Sequence, residues 1–266
     1  MTQADVVTEA LTRRYHTLIA VDQLDLAVEH GTIFGLLGPN GAGKSTTLKM
    51  LTTLLPPTAG SARIGGFDIV RQPGAVRRRI GYVPQLLSAD GALTGYENLM
   101  LSARLYGLPR GEREARIADG LAFMGLEDAA QSLVSTYSGG MIRRLEVAQA
   151  LLHRPLVLFL DEPTIGLDPI ARRAVWERLR ESRRRFGTTI LLTTHDMEEA
   201  DVLCDTIAIM HQGRVAALGA PAELKRQVGP AATRDDVFVH FAGASIAEGG
   251  SYRDIRSTRR TARRLS

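Results

Sequence analysis

The sequence predicts an α/β fold built on a parallel β-sheet, with an antiparallel β subdomain at the N-terminus and an inserted all-helical subdomain. Three observations lead to this prediction. A glycine-rich loop at residues 38–46 separates a short apolar segment from a helical one. Leu156–Leu160 is a continuous apolar run typical of central parallel strands. Between Gly95 and about His153 the apolar residues recur with helical spacing.

The N-terminal segments predict strands of a half-exposed sheet. Val6–Thr12 is followed by Ala20–Val28, in which apolar and polar residues alternate. Tyr15 lies between them in a turn-like stretch. An exposed aromatic ring here can stack on a base, but a tyrosine that fills the edge of a sheet is an equally good interpretation of this residue alone.

The loop GPNGAGKST matches the phosphate-binding pattern G-x-x-x-x-G-K-[ST]. Thr32–Leu37 before it predicts a buried strand, and Thr46–Leu55 after it predicts a helix. This order is typical of a P-loop NTPase core. Every loop residue is a candidate nucleotide contact: Gly38, Pro39, Asn40, Gly41, Ala42, Gly43, Lys44, Ser45 and Thr46.

The chemistry of the loop follows from its residue types. Gly41 and Gly43 carry no Cβ that would block the approach of phosphate oxygens to the backbone N–H groups. The following helix adds its positive end. We expect Lys44 to reach the β- and γ-phosphates and the Ser45 hydroxyl to hold Mg²⁺.

Downstream of the loop, Ser61–Ile64 and Arg79–Val83 predict further strands, and Gln85 closely follows the second. Within the helical insertion, the third helix is expected to begin near Ser138. The remaining predicted elements are strand Leu156–Leu160, helix Pro169–Phe186, strand Thr188–Thr193, helix Met197–Leu203, strands Asp205–Met210 and Arg214–Leu218, and helix Pro221–Gln227.

The apolar strand Leu156–Leu160 ends in two acids, Asp161 and Glu162. An acidic pair at a strand end can be a simple surface turn, but a phosphate loop upstream favours the second half of a nucleotide site. We expect Asp161 to orient the Mg²⁺ shell and Glu162 to accept a proton from an attacking water.

Composition and charge narrow the classes of function. Hydrophobic residues make up 44% of the 266, which supports a core, and no apolar run approaches the roughly 18 residues that a membrane span needs. The N-terminus lacks the features of a secretion signal, so a cytoplasmic location is expected. Cys204 is the only cysteine, which excludes an internal disulfide and predicts a small core residue.

The net charge of +4 is concentrated at the C-terminus. Residues 251–266 hold six arginines and one acid, a charge of +5, which leaves −1 for residues 1–250. We therefore expect no general nucleic-acid-binding face on the folded body. The segment 229–266 is expected to be an extension that ends in an extended or disordered Arg-rich tail.

Further motifs follow the loop in a fixed order: YVPQ ending at Gln85, YSGGM at Tyr137–Met141, LVLFLDEP, IGLD ending at Asp168, and His195 after a strand. In these motifs the chain resembles the ATP-binding subunit of ABC transporters over roughly residues 5–228. The resemblance implies an ABC ATP-binding domain with its helical subdomain at about 95–153. It also implies ATP and Mg²⁺ as cofactors.

The resemblance assigns roles within one nucleotide site. Tyr15 is implied to stack on adenine. Gln85 is implied to sense Mg²⁺ and the γ-phosphate, and His195 to contact the γ-phosphate and position the water or Glu162. Taken singly, Gln85 could simply end a strand and His195 could be an ordinary hydrogen-bonded histidine; their joint occurrence in this order favours the functional interpretation.

The resemblance also implies contacts across a dimer. Ser138, Gly139 and Gly140 match the signature motif, which in this family binds the ATP held by the other subunit, and Asp168 is implied to lie at the interface. A serine and two glycines at the start of a helix could merely cap it, but the same geometry makes an anion site. The implied assembly is a homodimer, or a pair with a second ATPase subunit, that closes on ATP.

The signature departs from the family's commonest form at two positions. Tyr137 replaces leucine, and Met141 replaces glutamine and cannot donate the polar contact that glutamine would make. A YSGGM signature followed by Arg143 and Arg144, together with RDDVFVHFAG at 234–243, resembles the daunorubicin-resistance branch of drug exporters.

The leading hypothesis is an ATPase subunit of an exporter, bound to a separately encoded transmembrane permease at the cytoplasmic face of the cell membrane. No specific nucleic acid is expected as a partner. A soluble ABC ATPase that acts on nucleic acid or ribosomes is the alternative from another class, and only the Arg-rich tail favours it. An importer ATPase would share every catalytic residue.

Overall fold

The computed structural model describes residues 4–229, 233, 236–237 and 239–243. The Arg-rich tail predicted from residue 251 onward lies outside the described residues, as do parts of the segment 234–243.

Helices and strands alternate along most of the chain. In order they are β1 (Ala4–Tyr15), β2 (Leu18–Glu29), β3 (Ile33–Leu37), α1 (Lys44–Leu51), β4 (Ala59–Ile64), β5 (Phe67–Asp68), α2 (Pro73–Arg77), β6 (Ile80–Val83), α3 (Gly95–Leu105), α4 (Arg113–Met124), α5 (Gly139–Leu151), β7 (Val157–Asp161), α6 (Pro169–Phe186), β8 (Thr189–Thr194), α7 (Met197–Leu203), β9 (Thr206–His211), β10 (Arg214–Gly219) and α8 (Pro221–Val228). A 3₁₀ turn at Val134–Thr136 and a π-helical turn at Val239–Gly243 complete the described elements.

The strands form two sheets, which confirms the predicted fold class. Four antiparallel strands make the N-terminal sheet in the order β2-β1-β4-β5. Six strands make the second sheet in the order β10-β9-β3-β8-β7-β6, in which only β10 runs antiparallel to its neighbour. The phosphate loop connects β3, a central strand of the second sheet, to α1.

The parallel sheet is covered on both faces. Every residue of β3, β7 and β8 is buried, as expected for strands that have helices or a second sheet on each side. Side chains alternate between two cores along β7. Leu158 and Leu160 pack into the core shared with the helical subdomain, whereas Val157 and Phe159 pack into the core under the antiparallel sheet.

The predicted helical insertion is present as α3, α4 and α5, and its helix ends have clear causes. Thr94 and Glu97 form a capping box at the start of α3. Gly125 ends α4 in the left-handed conformation. Ser138 caps α5, so this helix begins where the sequence predicts.

Two sequence predictions near the loop are wrong in detail. The helix after the loop spans Lys44–Leu51 rather than Thr46–Leu55; Thr53, with φ of 63°, leaves the helical conformation. Tyr15 is not in a turn: it ends β1 and pairs with Leu18, and the turn is at His16–Thr17. The positive φ of His16 suits such a two-residue connection.

No helix in the part of the chain that the structure covers is long and apolar enough to cross a membrane. Cys204 is a buried free thiol. Its sulfur lies 2.8 Å from the point where a Cβ on Gly35 would sit, so it is packed tightly against β3, and its predicted place in the core is confirmed.

Gly81 of β6 gives a test of how closely α5 packs on the sheet. A Cβ at this position would lie 2.4 Å from the Ala150 carbonyl oxygen of α5. We expect Gly81→Ala to lower the free energy of unfolding by about 1–3 kcal/mol, because overpacking forces a backbone shift. Urea denaturation measures this. Gly111→Ala is the control, because nothing lies within 4 Å of its added Cβ; equal losses in both variants would contradict the packing argument.

Candidate active site

The phosphate loop forms one wall of an open cleft of about 300 Å³. The other walls come from the ends of the antiparallel sheet and of the parallel strands. Besides loop residues 39–46, the lining residues are Tyr15, Leu18, Ala20, Gln85 and Glu162. The structure therefore brings the predicted base-stacking residue, the loop, the predicted glutamine and the predicted general base to one cleft.

The two predicted glycines of the loop have different reasons to be glycine. Gly41 has φ of 86° and open space where a Cβ would be, which leaves its backbone accessible from the cleft. Gly43 has φ of 104°, and a Cβ there would lie 2.4 Å from the Ala20 carbonyl oxygen. Gly43 thus lets the loop pack on β2, and this contact joins the antiparallel sheet to the phosphate loop.

Lys44 is buried beneath the loop. Its ammonium donates hydrogen bonds to the Gly38 and Pro39 carbonyl oxygens at 2.7 and 3.2 Å and lies 3.5 Å from Glu162 Oε1. Burial lowers the pKa of Lys44, and the attraction of Glu162 opposes that effect. The lysine is therefore a cation held at the floor of the cleft with a carboxylate beside it.

Glu162 is the point at which several predicted residues meet. His195 Nδ1 lies 3.1 Å from Glu162 Oε2, and Gln85 Nε2 lies 3.5 Å from the same oxygen. The backbone of Glu162 has a φ of 47°, which is uncommon outside glycine. Its N–H donates to the carbonyl and hydroxyl oxygens of Thr193 at 3.1 and 3.0 Å, which holds this turn in place.

Asp161, the last residue of β7, lies beneath the loop. Its Oδ1 accepts hydrogen bonds from the hydroxyls of Ser45, at 3.0 Å, and Thr193, at 2.6 Å. Carboxylate and hydroxyl oxygens are suitable ligands for Mg²⁺, which is usually held by one or two carboxylates together with substrate phosphates. Among the residues covered by the structure, no cluster of three or more histidine, cysteine, aspartate or glutamate side chains could hold a metal by itself.

The predicted signature residues and Asp168 are not part of the cleft lining. Ser138 and Asp168 are both exposed helix caps: Ser138 accepts from the Met141 N–H at 3.2 Å, and Asp168 accepts from the Ala171 N–H at 2.9 Å. A Cβ on Gly140 would lie 2.7 Å from Ala171 Cβ. The starts of α5 and α6 are therefore adjacent and form a second surface.

The sequence profile described as "ABC transporter" matches residues 21–165. The chain belongs to the ABC transporter family. It is an ATP-binding subunit of this family and an ATPase, with the fold and the loop of that class.

Relatives and solved structures agree with this assignment. The daunorubicin/doxorubicin resistance ATP-binding protein of Streptomyces peucetius is 48% identical over 224 residues, 84% of this chain and 68% of the relative. A solved ATP-binding subunit of an ABC transporter matches with a TM-score of 0.79 at 34% identity, over 89% of this chain and 98% of its own. A dimeric ATP-binding cassette in a post-hydrolysis state with ADP and Pi matches with a TM-score of 0.73 at 26% identity, over 81% of this chain and 98% of its own.

In this ABC ATPase the tyrosine of the predicted signature, Tyr137, has a structural role. The Tyr137 ring is buried, and its hydroxyl donates to the Ala129 carbonyl oxygen at 2.6 Å. A Cβ on Gly95 would lie 2.3 Å from that hydroxyl oxygen. Tyr137 thus bonds the segment before α5 to the segment after α4, a hydrogen bond that leucine could not make, and it packs closely on the start of α3.

Sequence reasoning missed three buried charged residues near the site: Arg143, Glu146 and Glu199. All three lie on helices, where a charged side chain usually faces solvent, so no local pattern predicts their burial. Glu199 of α7 accepts from Thr164 Oγ1 at 2.7 Å and from Trp176 Nε1 at 2.9 Å. It thereby ties the segment after Glu162 to α6 and α7.

Glu199 also gives a pH prediction. Burial raises its pKa above the ordinary value of 4.5, although hydrogen bonds from Thr164 and Trp176 oppose the shift. The unfolded chain therefore releases this proton first as pH rises, so the free energy of unfolding falls from about pH 4.5 up to the raised pKa.

We expect Glu199→Gln, which retains an acceptor oxygen for both donors, to show a shallower fall over this pH range. The free energy of unfolding is measured by urea denaturation at several pH values. The fluorescence of Trp176, the only tryptophan, follows the unfolding. Parallel pH profiles for the two proteins would contradict the assignment.

Proposed function

We propose that this chain hydrolyses ATP as half of a closed dimer and thereby drives a membrane exporter. The observation that carries the proposal is the convergence of Lys44, Gln85 and His195 on the Glu162 carboxylate in a phosphate-loop cleft. This arrangement supplies a cation for phosphate, a carboxylate for an attacking water and two polar side chains that orient it. The proposed ATP-binding domain spans residues 5–228.

ATP would bind with its phosphates against loop residues 38–46 and its base on Tyr15. Tyr15 is 38% exposed as a residue, and the Arg13 guanidinium carbon lies 4.6 Å from the centroid of its ring. Arginine on one face of the ring leaves the other face for adenine, and the cation–π contact fixes the ring orientation. Lys44 would turn from the loop carbonyls toward the β- and γ-phosphates.

Mg²⁺ would be held by the Ser45 hydroxyl and the Gln85 side chain, with Asp161 bound through water. When bound, the ion neutralises charge on the β- and γ-phosphates. Asp161 is buried and already fixed by Ser45 and Thr193, so it is oriented for this role before the nucleotide arrives.

In hydrolysis, Glu162 would accept a proton from the water that attacks the γ-phosphate. His195 lies against the same carboxylate but is 51% exposed at its side chain, so it can turn toward the γ-phosphate. Gln85 is exposed and only weakly bonded to Glu162. Both contacts leave the Glu162 carboxylate oriented and able to receive the proton.

The second surface would complete the site of a partner subunit. Ser138 and Gly139 are exposed at the start of α5, and Asp168 is exposed at the start of α6. The first N–H groups of a capped helix face outward and favour an anion. The Ser138-Gly139-Gly140 segment would therefore bind the γ-phosphate held by the other subunit, with Asp168 at the interface, so ATP would join the two subunits.

A transmembrane permease subunit would contact the helical subdomain and the loop after β6, which is bonded to α3. Five large apolar side chains are exposed between residues 86 and 106: Leu86, Leu87, Leu101, Leu105 and Tyr106. Exposed apolar residues in one region favour a protein interface. Similarity to a daunorubicin/doxorubicin resistance ATP-binding protein favours export as the direction and a drug as cargo. The chain would then be peripheral at the cytoplasmic face of the membrane.

The general base gives the first test. Glu162→Gln should retain ATP binding, lose about 10²–10⁴-fold in kcat because general-base catalysis is removed, and accumulate an ATP-bound dimer in size-exclusion chromatography. Glu181→Gln is the matched control, since its carboxylate is exposed and lies 3.9 Å from Arg178 on the same helix. Hydrolysis at the normal rate by Glu162→Gln would show that another group is the base.

The partner is tested with the same variant. Tagged Glu162→Gln protein, with Mg-ATP, is recovered from detergent-solubilised cells, and the bound proteins are identified. A polytopic membrane protein in stoichiometric amount supports the transporter proposal. Ribosomes or nucleic acid without a membrane protein would contradict it.

A further inference from the structure

Arg143 and Glu146 of α5 form a buried ion pair outside the nucleotide cleft. Their side chains are each only 2% exposed, and Arg143 Nη1 lies 2.9 Å from Glu146 Oε2. Taking two charges out of water is costly unless their remaining hydrogen-bonding capacity is also used. The other bonds of the pair therefore indicate what it does.

The other hydrogen bonds of Arg143 and Glu146 all go to the loop that follows β6. Arg143 donates to the carbonyl oxygens of Pro84 and Gln85, both at 2.8 Å. Glu146 Oε1 accepts from the N–H and hydroxyl of Ser88, the latter at 3.0 Å, and from the Ala89 N–H at 3.3 Å. The arginine thus holds the start of the loop after β6, and the glutamate holds its middle.

The same loop is also bonded to α3. The Asp90 N–H donates to Asn98 Oδ1 at 2.9 Å, and Asn98 Nδ2 donates back to the Asp90 carbonyl oxygen at 2.9 Å. From Pro84 to Asp90 the backbone is therefore bonded at several points to helices of the helical subdomain. The loop that carries Gln85 is fixed to α5, the helix that Ser138 caps and that begins with Gly139 and Gly140.

We propose that Arg143 and Glu146 are positioning residues for Gln85. They fix the backbone on both sides of this residue to α5, so the Gln85 amide keeps its place near Glu162 and follows any movement of the signature helix. The inference rests on the proposed function, because it concerns Gln85 as part of the hydrolytic site. Neither residue of the pair lines the nucleotide cleft, so both act through the loop.

The test uses the paired variant Arg143→Met/Glu146→Leu in the full chain. Replacing both charges avoids a lone buried charge, and such replacements are often neutral for stability. Hydrogen exchange of the Ser88 and Ala89 amides should speed up because their acceptor is gone. The kcat for ATP should fall about 10–100-fold, since a catalytic group is misplaced, whereas KM should change less than about twofold. If the paired variant does not fold, Ser88→Ala is measured instead, because it removes the hydroxyl bond to Glu146 and leaves the ion pair intact; its kcat should fall in the same direction by a smaller factor.

A cycle with Gln85→Ala separates positioning from general structural damage. In the Gln85→Ala background the paired variant should lower kcat less than about twofold further, because the residue it positions is already absent. The matched control is Arg185→Met/Asp119→Leu, which removes an ion pair of 2.7 Å between α6 and α4 that does not touch the loop; its kcat should equal that of the wild type.

Three results would overturn the inference. They are unchanged hydrogen exchange at Ser88 and Ala89, a wild-type kcat in the paired variant, or a kcat in the combined variant that shows the full loss of both changes multiplied together. An inactive wild-type chain, or a fully active Glu162→Gln variant, would contradict the proposed function instead. In that case the exchange measurement still decides whether the pair holds the loop.

Discussion

The parallel register of four adjacent strands, β3, β8, β7 and β6, is the constraint on which the site depends. Leu37 at the end of β3 pairs with Thr194 of β8, Asp161 of β7 pairs with Thr193, and Val83 of β6 pairs with Leu160. Parallel strands end at the same edge of the sheet, which is where ligands bind in α/β folds. The loop, Gln85, Glu162 and His195 each follow one of these strands, so residues far apart in sequence meet there.

The site is assembled from charges that are costly to bury alone. Lys44 and Glu162 lie 3.5 Å apart and are almost fully buried, so each lowers the cost of burying the other. Asp161 is stabilised by two hydroxyl groups. Hydrogen-bonded acids that are in place before the nucleotide binds, with a cation beside them, are the kind of preorganisation that favours phosphoryl transfer.

The sequence predicted the helices and strands that depend on local patterns of residues. The loop motif predicted the strand and helix around it, the apolar run predicted β7, and the helical spacing predicted the insertion. Details that depend on distant contacts were not predictable. Tyr15 extends β1 because it pairs with Leu18, and Arg143, Glu146 and Glu199 are buried because separate elements surround them. The roles of the site residues stay predictions, although Lys44, Gln85, Glu162 and His195 do meet.

The packing of Tyr137 bears on how this protein could be re-engineered. Its hydroxyl fits above Gly95, where any side chain would collide, and is satisfied by the Ala129 carbonyl. A leucine at this position would leave a void beside Gly95 and would remove the hydroxyl bond to the Ala129 carbonyl, which would keep only its bond from the Ser132 N–H. A bulkier residue at position 95 would expel the tyrosine. The predicted signature therefore cannot be replaced by itself. Residue 137 and residue 95 fit each other closely and must be changed together.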